Sequence, residues 1–443
     1  MNYYDLLKNW SMENPHKLLL RWGERDYSYF DMLSLADGLS KRAADWAKPF
    51  KPILILAKGP VFQIGAFLAL EKLGAVPILM HGDCKDETII DIINHNNLYG
   101  IWEVMEEKSL FQPAQGESTE RPEDVMGALT SGSTGIPKIL YRTYERWGDF
   151  FEIQNRTFGV DQTTKIFLHG SLSFTGNLNM LLAVLYAGGS IISCSPIRIG
   201  CWNELIKSSE ASHIYLVPAK LQLFCREARE PHNTVGHIIA GSQLISSETY
   251  EAISRSFPQA KVILYYGSGE LSYISYKVLG QNDEINNLGR PFEGIQVASL
   301  QGDLYVDTPF HISDIKVPYC CGDTGYINEQ GEIIFTGRRA DWINKGGYKI
   351  SCLKLEQELE KIAGVQAAAV VPYDDKLRGQ EIGAVIVAEG KVTAAQIRQS
   401  FRQYLDERER PKKIVLTDKL PLNDRGKLDK EVLKVMLCGN WRK

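Results

Sequence analysis

No two of the eight cysteines, at 84, 194, 201, 225, 320, 321, 352 and 438, form a C-x-x-C pair, so neither a zinc knuckle nor a redox couple is written into this chain. They read as reduced, mostly core thiols, as in a cytoplasmic protein. The eight histidines are equally dispersed, with none at helical ligand spacing, which argues against a protein-built transition-metal site. Basic excess is missing too. Fifty Lys and Arg against 54 Asp and Glu leave a net charge of −4, with nothing to attract a nucleic-acid backbone. The opening MNYYDLLKNWSMENP lacks the basic-then-apolar order of a secretory signal. The most apolar stretch, Leu178 to Ile192, is interrupted by Asn179 and by glycines, so it reads as a buried helix and strand, and no membrane span is expected. Internal repeats and low-complexity segments are absent as well.

What remains is an ordinary globular composition, 44% hydrophobic and 23% charged over 443 residues. That length is about three times a one-domain prior, enough for one large body and a smaller second one. Strand and helix patterns alternate from Leu18 onward. A short hairpin turns about Gly23-Glu24, and KPILILAKG and AVPILMHG read as buried parallel strands separated by a helix. Residues 112–124, polar and carrying two prolines, read as a surface connector. KIFLHGSLSF, the helix NLNMLLAVLYAGG, SIISCS and KVILYYG continue the alternation. The fold class expected is therefore α/β, a large N-terminal domain with doubly wound sheets. Near Asn286 the texture shifts to the short runs of a β-rich subdomain. Beyond GRRADWINKGG about 100 residues form a compact α+β pattern, a small C-terminal domain.

Ten residues concentrate the chemistry. LTSGSTGIPK, Leu129 to Lys138, holds two glycines, four hydroxyls and a lysine. Gly132 and Gly135 let backbone N–H groups turn inward, Thr130, Ser131, Ser133 and Thr134 add hydroxyl donors, and Lys138 adds a point charge, which together suit a phosphate. A flexible surface turn is the plain alternative, but apolar residues run in and an aromatic-rich segment runs out, so the glycines sit at a junction of ordered elements. The nucleotide-triphosphatase loop needs four residues between its glycines; here only Ser133 and Thr134 intervene, and Pro137 precedes the lysine. YYGSGE, Tyr265 to Glu270, leaves a strand into a Gly-Ser-Gly turn, exposing a ring and a carboxylate at the sheet's carboxyl end. Asp323 precedes Thr324-Gly325, where a turn cap is its plain reading. Lys427 follows a glycine in LPLNDRGKLD, on a hairpin near the end, where a surface lysine is the plain reading.

The decapeptide resembles the signature loop of the adenylate-forming superfamily: acyl-CoA synthetases, nonribosomal-peptide adenylation domains and beetle luciferases. YYGSGE, YCCGDTGYINEQGEIIFTGRRADWINKGGYKI and LPLNDRGKLD come after it in the family's order. The resemblance implies ATP and Mg²⁺ as cofactors, with Thr130, Ser131, Gly132, Ser133, Gly135 and Lys138 around the phosphates. It further implies that Gly241, Ser242 and Gln243 lie flat against adenine, that Tyr266 stacks on it, and that Gly267 and Ser268 complete the turn. Asp323 and Arg338 would hold the ribose, and Glu270 the metal. Lys427, Glu270 and Thr134 would form the catalytic set. In the family the tyrosine motif carries a threonine where this chain has Gly269, so Ser268 or a further backbone N–H must serve instead. The resemblance also implies domains at 1–337 and 342–443 with a hinge at 338–341, where Ala340 replaces the Asp or Lys of many relatives. Gly346 and Gly347 would line the thiol's tunnel.

The acid pocket implied comprises His169, Phe174, Thr175, Gly176, Asn177 and Leu271. Phe174-Thr175 lacks the aspartate that pins an amino group, and His169-Gly170 lacks the asparagine that reads a ring hydroxyl. An aryl or aliphatic monocarboxylic acid is therefore expected. The activity implied is formation of acyl-AMP and then of a thioester with coenzyme A; a carrier-protein phosphopantetheine is the alternative acceptor. A nucleotide-binding sensor or scaffold weakened at Gly269 and Ala340 is the competitor from another class. No carrier domain is expected on this chain, and its N-terminal part reads as shorter than in most relatives.

Overall fold

The computed structural model describes residues 2–81, 86–106, 108–130, 137–195, 198–228, 230–281, 283–345, 348–375, 379–390, 392–422 and 428–438. It divides into two units: Met1–Ile285 with Arg290–Gln296 and Val306–Tyr319, and Asn286–Gly289 with Val297–Tyr305 and Cys320–Lys443.

In the first unit the apolar runs become central strands. Pro52–Ala57 is buried along almost its whole length because it has a parallel neighbour on either side, Val76–His81 and Gly100–Val104. Met126–Leu129 and Ile139–Arg142 extend this six-stranded sheet at one edge, and Ser109–Pro113 at the other. The start of the 112–124 connector therefore belongs to a strand, antiparallel to Gly100–Val104. A second sheet has nine strands, among them, as successive neighbours, Lys261–Ser268, His237–Gly241, His213–Tyr215, Lys165–Leu168 and Ser190–Ser193, all parallel. The hairpin Leu18–Trp22 and Arg25–Ser28 closes one edge through Gly23, whose φ of 62° suits glycine. The helix Tyr29–Ala43 starts there because Ser28 and Asp31 exchange hydrogen bonds as a capping box. The apolar stretch read as helix and strand is Thr175–Ala187 and Ser190–Ser193. Among the described residues no helix is long and apolar enough to cross a membrane.

In the second unit the hairpin Asp323–Ile327 and Ile333–Arg338 precedes a mixed sheet. The sheet pairs Trp342–Lys345 with Tyr348–Ser351 and Gly379–Ala388, and Gly379–Ala388 with Val365–Asp375 and Lys413–Thr417. Alternation along its strands sorts two cores. Ala368, Val370, Ile382, Ala384 and Ile386 face the helices Cys352–Glu360 and Ala394–Tyr404. Ala369, Val371 and Val385 face Lys430–Leu437. The expected hinge at 338–341 lies inside this unit's span.

Candidate active site

Parallel strands end on one edge, so Lys165–Leu168, His213–Tyr215, His237–Gly241 and Lys261–Ser268 deliver their succeeding residues to the same rim. The strands that flank the glycine-rich loop, Met126–Leu129 and Ile139–Arg142, pair as a hairpin that reaches this rim. Leu129 pairs with Ile139, and the Thr130 N–H donates to the Lys138 carbonyl at 2.9 Å. Leu129 also donates to the Ser173 carbonyl at 2.9 Å and bridges Phe174. That contact brings the hairpin to the start of the helix Thr175–Ala187, whose N-cap, Phe174, offers no side-chain acceptor. The first-turn N–H groups of Thr175, Gly176 and Asn177 therefore lack a side-chain cap, as suits an anion.

The strand Lys261–Ser268 turns back into Ser272–Val278 as a hairpin with a bulge between Tyr266 and Gly267. Gly267 must be glycine: a Cβ there would lie 2.3 Å from the Ser272 carbonyl oxygen. Ser268 Oγ accepts from the Leu271 N–H at 3.2 Å, so its hydroxyl braces its own turn. Gly269 is packed where its side chain would be. A Cβ would sit 2.8 Å from Leu140 Cδ1 and 4.0 Å from both Thr130 Cγ2 and Thr175 Cγ2. Two expected site residues, Thr130 and Thr175, thus converge on Gly269, and Leu140 takes the room of the missing threonine. Glu270 is half-buried and its carbonyl accepts from Ile312 at 2.8 Å. Leu271 is fully buried. By alternation Tyr266, half-buried, points to the face opposite Tyr265.

Beneath this turn lies a residue that sequence reasoning missed. Arg142 is fully buried, donates to the carbonyls of Gly269 and of Phe310 (2.9 Å), and rests over the Trp147 ring at 4.8 Å. Burial pulls its pKa down to about 9, while Tyr3 and Glu270 hold it up, so it stays charged at neutral pH. The signal was a lone arginine ending an otherwise apolar strand, ILYR.

Tyr265 explains Gly241, whose Cβ position is 2.4 Å from Tyr265 Cζ. Next to it Ser242 holds a φ of 69°, exposed, with Gln243 half-buried. The hydroxyls of Tyr215 and Tyr265 are 2.6 Å apart, and burial holds both pKa values well above the ordinary phenol. Gly176 lies over this pair, its Cβ position 2.8 Å from the Tyr215 hydroxyl. Farther along, the Asn177 amide donates to the Ser171 carbonyl at 3.1 Å. His169 packs on Trp202 and receives Lys220, also unforeseen from sequence. Burial first, then the Lys220 charge, pulls the His169 pKa down to about 4.

In the second unit Asp323 and Arg338 face one another across the hairpin, with Nε to Oδ1 at 3.0 Å. Asp323 opens a strand, so the turn-cap alternative fails; its carboxylate is buried while Arg338 is largely exposed. Among the remaining expected residues, Ser131, Gly132, Ser133, Thr134, Gly135, Gly346, Gly347 and Lys427 lie outside the described residues. The flanks of Lys427 pair as a hairpin does, with Leu422 opposite Leu428 and Asp429 donating to the Pro421 carbonyl at 2.9 Å.

The model of the AMP-binding enzyme family matches residues 100–305, and that of the AMP-binding enzyme C-terminal domain matches 354–427. The chain belongs to the adenylate-forming superfamily. This AMP-forming ligase is 26% identical over 327 residues to YhfT of Bacillus subtilis (strain 168), an uncharacterized acyl-CoA ligase, covering 70% of this chain and 68% of that one. The ligase superposes on ATP-bound MatB from Rhodopseudomonas palustris with a TM-score of 0.85 at 18% identity, covering 98% of each chain. On O-succinylbenzoate Coenzyme A Synthetase (MenE) from Bacillus subtilis, in complex with ATP and magnesium ion, the TM-score is 0.82 at 18% identity, covering 97% of this chain and 99% of that one. Activation of a carboxylic acid by adenylation is the ligase's chemistry.

Proposed function

We propose that the ligase joins an aryl or aliphatic carboxylic acid to coenzyme A in two steps. The acid carboxylate attacks the α-phosphorus of ATP, forming a mixed anhydride and releasing pyrophosphate. The thiol then attacks the acyl carbon, and AMP leaves. Adenylation replaces an oxide leaving group with a phosphate monoester, which acyl transfer at neutral pH requires. One observation carries this reading: Thr130, Thr175 and Gly269 meet at the rim, next to a helix start without a side-chain cap. An acid and a phosphate can be oriented there together.

Thr130 and Lys138, with Ser131 to Gly135 between them, would cradle the phosphates. Tyr266 and Gly241 to Gln243 would hold adenine, and Asp323 would accept from the ribose hydroxyls with Arg338 beside it. Glu270 suits Mg²⁺, since a half-buried carboxylate at a turn is one hard ligand and this ion takes its other oxygens from phosphates and water. When bound, the ion neutralises phosphate charge. Lys427, carried in by rotation of residues 342–443 about 338–341, would bridge the acid and the α-phosphate. Support for ATP and magnesium comes from the complex described for MenE, and for coenzyme A from the names of YhfT and MenE. A carrier protein's phosphopantetheine would use the same chemistry.

A weakened, nucleotide-binding sensor draws on Leu140 filling the space of the absent threonine. Acid-dependent ATP–pyrophosphate exchange decides between the two readings. It is expected in the wild type, and Lys427→Ala should slow it about 10- to 150-fold or more, the loss of one charge-assisted contact of roughly 1.5–3 kcal/mol. Thioester formation from supplied acyl-adenylate should suffer far less. Equal loss in both halves would contradict the role given to Lys427, and exchange absent with every acid would favour the sensor.

A further inference from the structure

Lys220 stands in the first turn of the helix Pro218–Glu227, immediately after the strand His213–Tyr215. A cation there sits at the positive end of the helix dipole, where it is disfavoured. It is also half-buried, and among the described residues no carboxylate acts on it. Its Nζ donates to His169 Nδ1 at 3.1 Å and to the His169 carbonyl at 3.0 Å. An ammonium has three N–H donors, so one is left over. The imidazole accepts at Nδ1 and is held neutral by burial, so it solvates the ammonium without cancelling its charge. Gly170 keeps the spot open: a Cβ there would lie 2.5 Å from Asn177 Nδ2 and 3.4 Å from Lys220 Nζ.

The position of this charge along the rim gives it a meaning. Gly269 with Thr175 marks the end where phosphate and acid meet, Gly176 over Tyr215 marks the middle, and Gly170 with Asn177 and Lys220 marks the far end. The strands Lys261–Ser268 and Lys165–Leu168 are three steps apart in the sheet, about 14 Å. An acid activated at the first end and lying along Thr175 to Asn177 presents its other end to the spare donor of Lys220. A hydrocarbon tail there would leave a half-buried cation without an anion, a costly arrangement.

We propose that the substrate is a dicarboxylic acid, its reacting carboxyl at the Thr175–Gly269 end and its second carboxylate held by Lys220, with Asn177 alongside. This replaces the monocarboxylic acid expected from sequence, and it rests on the adenylation reading above. Because Lys220 is remote from the reacting atoms, it contributes to binding in ground and transition states alike, so its loss should raise KM more than it lowers kcat.

The test is ATP–pyrophosphate exchange on the full chain with matched series: hexanoate, octanoate and decanoate against adipate, suberate and sebacate, and benzoate against the three benzenedicarboxylates. The wild type should prefer one or more diacids over the matched monoacids. Lys220→Met should cut the diacid-to-monoacid ratio of kcat/KM about 10- to 150-fold, mostly through KM, the range for one charge-assisted hydrogen bond. Lys220→Arg should retain part of the preference, and Lys220→Glu should shift it toward an acid with an ω-ammonium group. Preference for monoacids, or a diacid preference that Lys220→Met leaves intact, overturns the inference while adenylation stands. Exchange with no acid at all overturns the adenylation reading and the inference with it.

Discussion

Leu140 and Gly269 share one volume. Gly269 is not in the left-handed region of backbone space, so space alone opposes a side chain there. Gly269→Thr should therefore destabilise by about 1–3 kcal/mol, the usual cost of overpacking, and slow adenylation as the turn shifts. Leu140→Val shortens the obstructing side chain and should cost about 0.5–1.5 kcal/mol by itself. Combined, the two should cost less than their sum by roughly 0.5–3 kcal/mol, measured by urea denaturation. Strict additivity would mean the two positions are not coupled. The same scale shows what a sequence can disclose. Glu270, Tyr266 and Asp323 could be proposed from sequence because short motifs tie them to neighbours in the chain. Arg142 and Lys220 were not, because a lone basic residue looks solvated until distant chain buries it. The partners of Arg142 stand 127 and 168 positions away, and that of Lys220 stands 51 away.

Elements whose pattern is local are legible in the sequence: the apolar central strands, the Gly23 hairpin, and the amphipathic helix after Cys352. The pairing of the strands on either side of the glycine loop is not, since ILYR as a strand depends on its partner MGAL. Nor is the helix Lys430–Leu437, whose buried face, Leu433, Met436 and Leu437, has meaning only against Val371 and Val385. The pairing of Trp342–Lys345 with Gly379–Ala388 is likewise a long-range matter. At its end Lys345 Nζ meets Glu381 at 2.7 Å, both side chains nearly inaccessible, with Lys412 at 3.9 Å from the same carboxylate. Lys345→Met removes the inner cation and leaves Glu381 buried with the outer one. Breaking such a pair typically costs about 3–5 kcal/mol. Lys345→Met with Glu381→Leu should recover most of that loss, because the desolvated charge goes too. Guanidinium denaturation of both variants checks it, and a double variant as unstable as the single would show that Glu381 is needed for its other contacts.

At the scale of the whole chain, two units with separate cores are expected to unfold in separate transitions, each with its own pH dependence. In the second unit Glu356 accepts from the Val370 N–H at 2.8 Å, and burial, opposed by that bond, raises its pKa to about 8, with Glu360 and Asp341 adding repulsion and Lys430 offsetting it. The folded chain therefore keeps this proton up to about pH 8, while the unfolded chain releases it near pH 4.5. Between those values the unfolded state binds fewer protons, so stability falls as pH rises. Below about pH 4.5 both states are protonated and the contribution is fully retained. Some solvent access to the side chain limits the loss to about 1–3 kcal/mol across the window. Scanning calorimetry between pH 5 and 8 should show one transition moving to lower temperature for this reason. Glu356→Gln, which keeps an acceptor for Val370 but has no proton to lose, should flatten that transition's pH dependence and leave the other alone. A variant that shifted both transitions equally would mean that the units unfold together; one that left the slope unchanged would assign the pH dependence to another group.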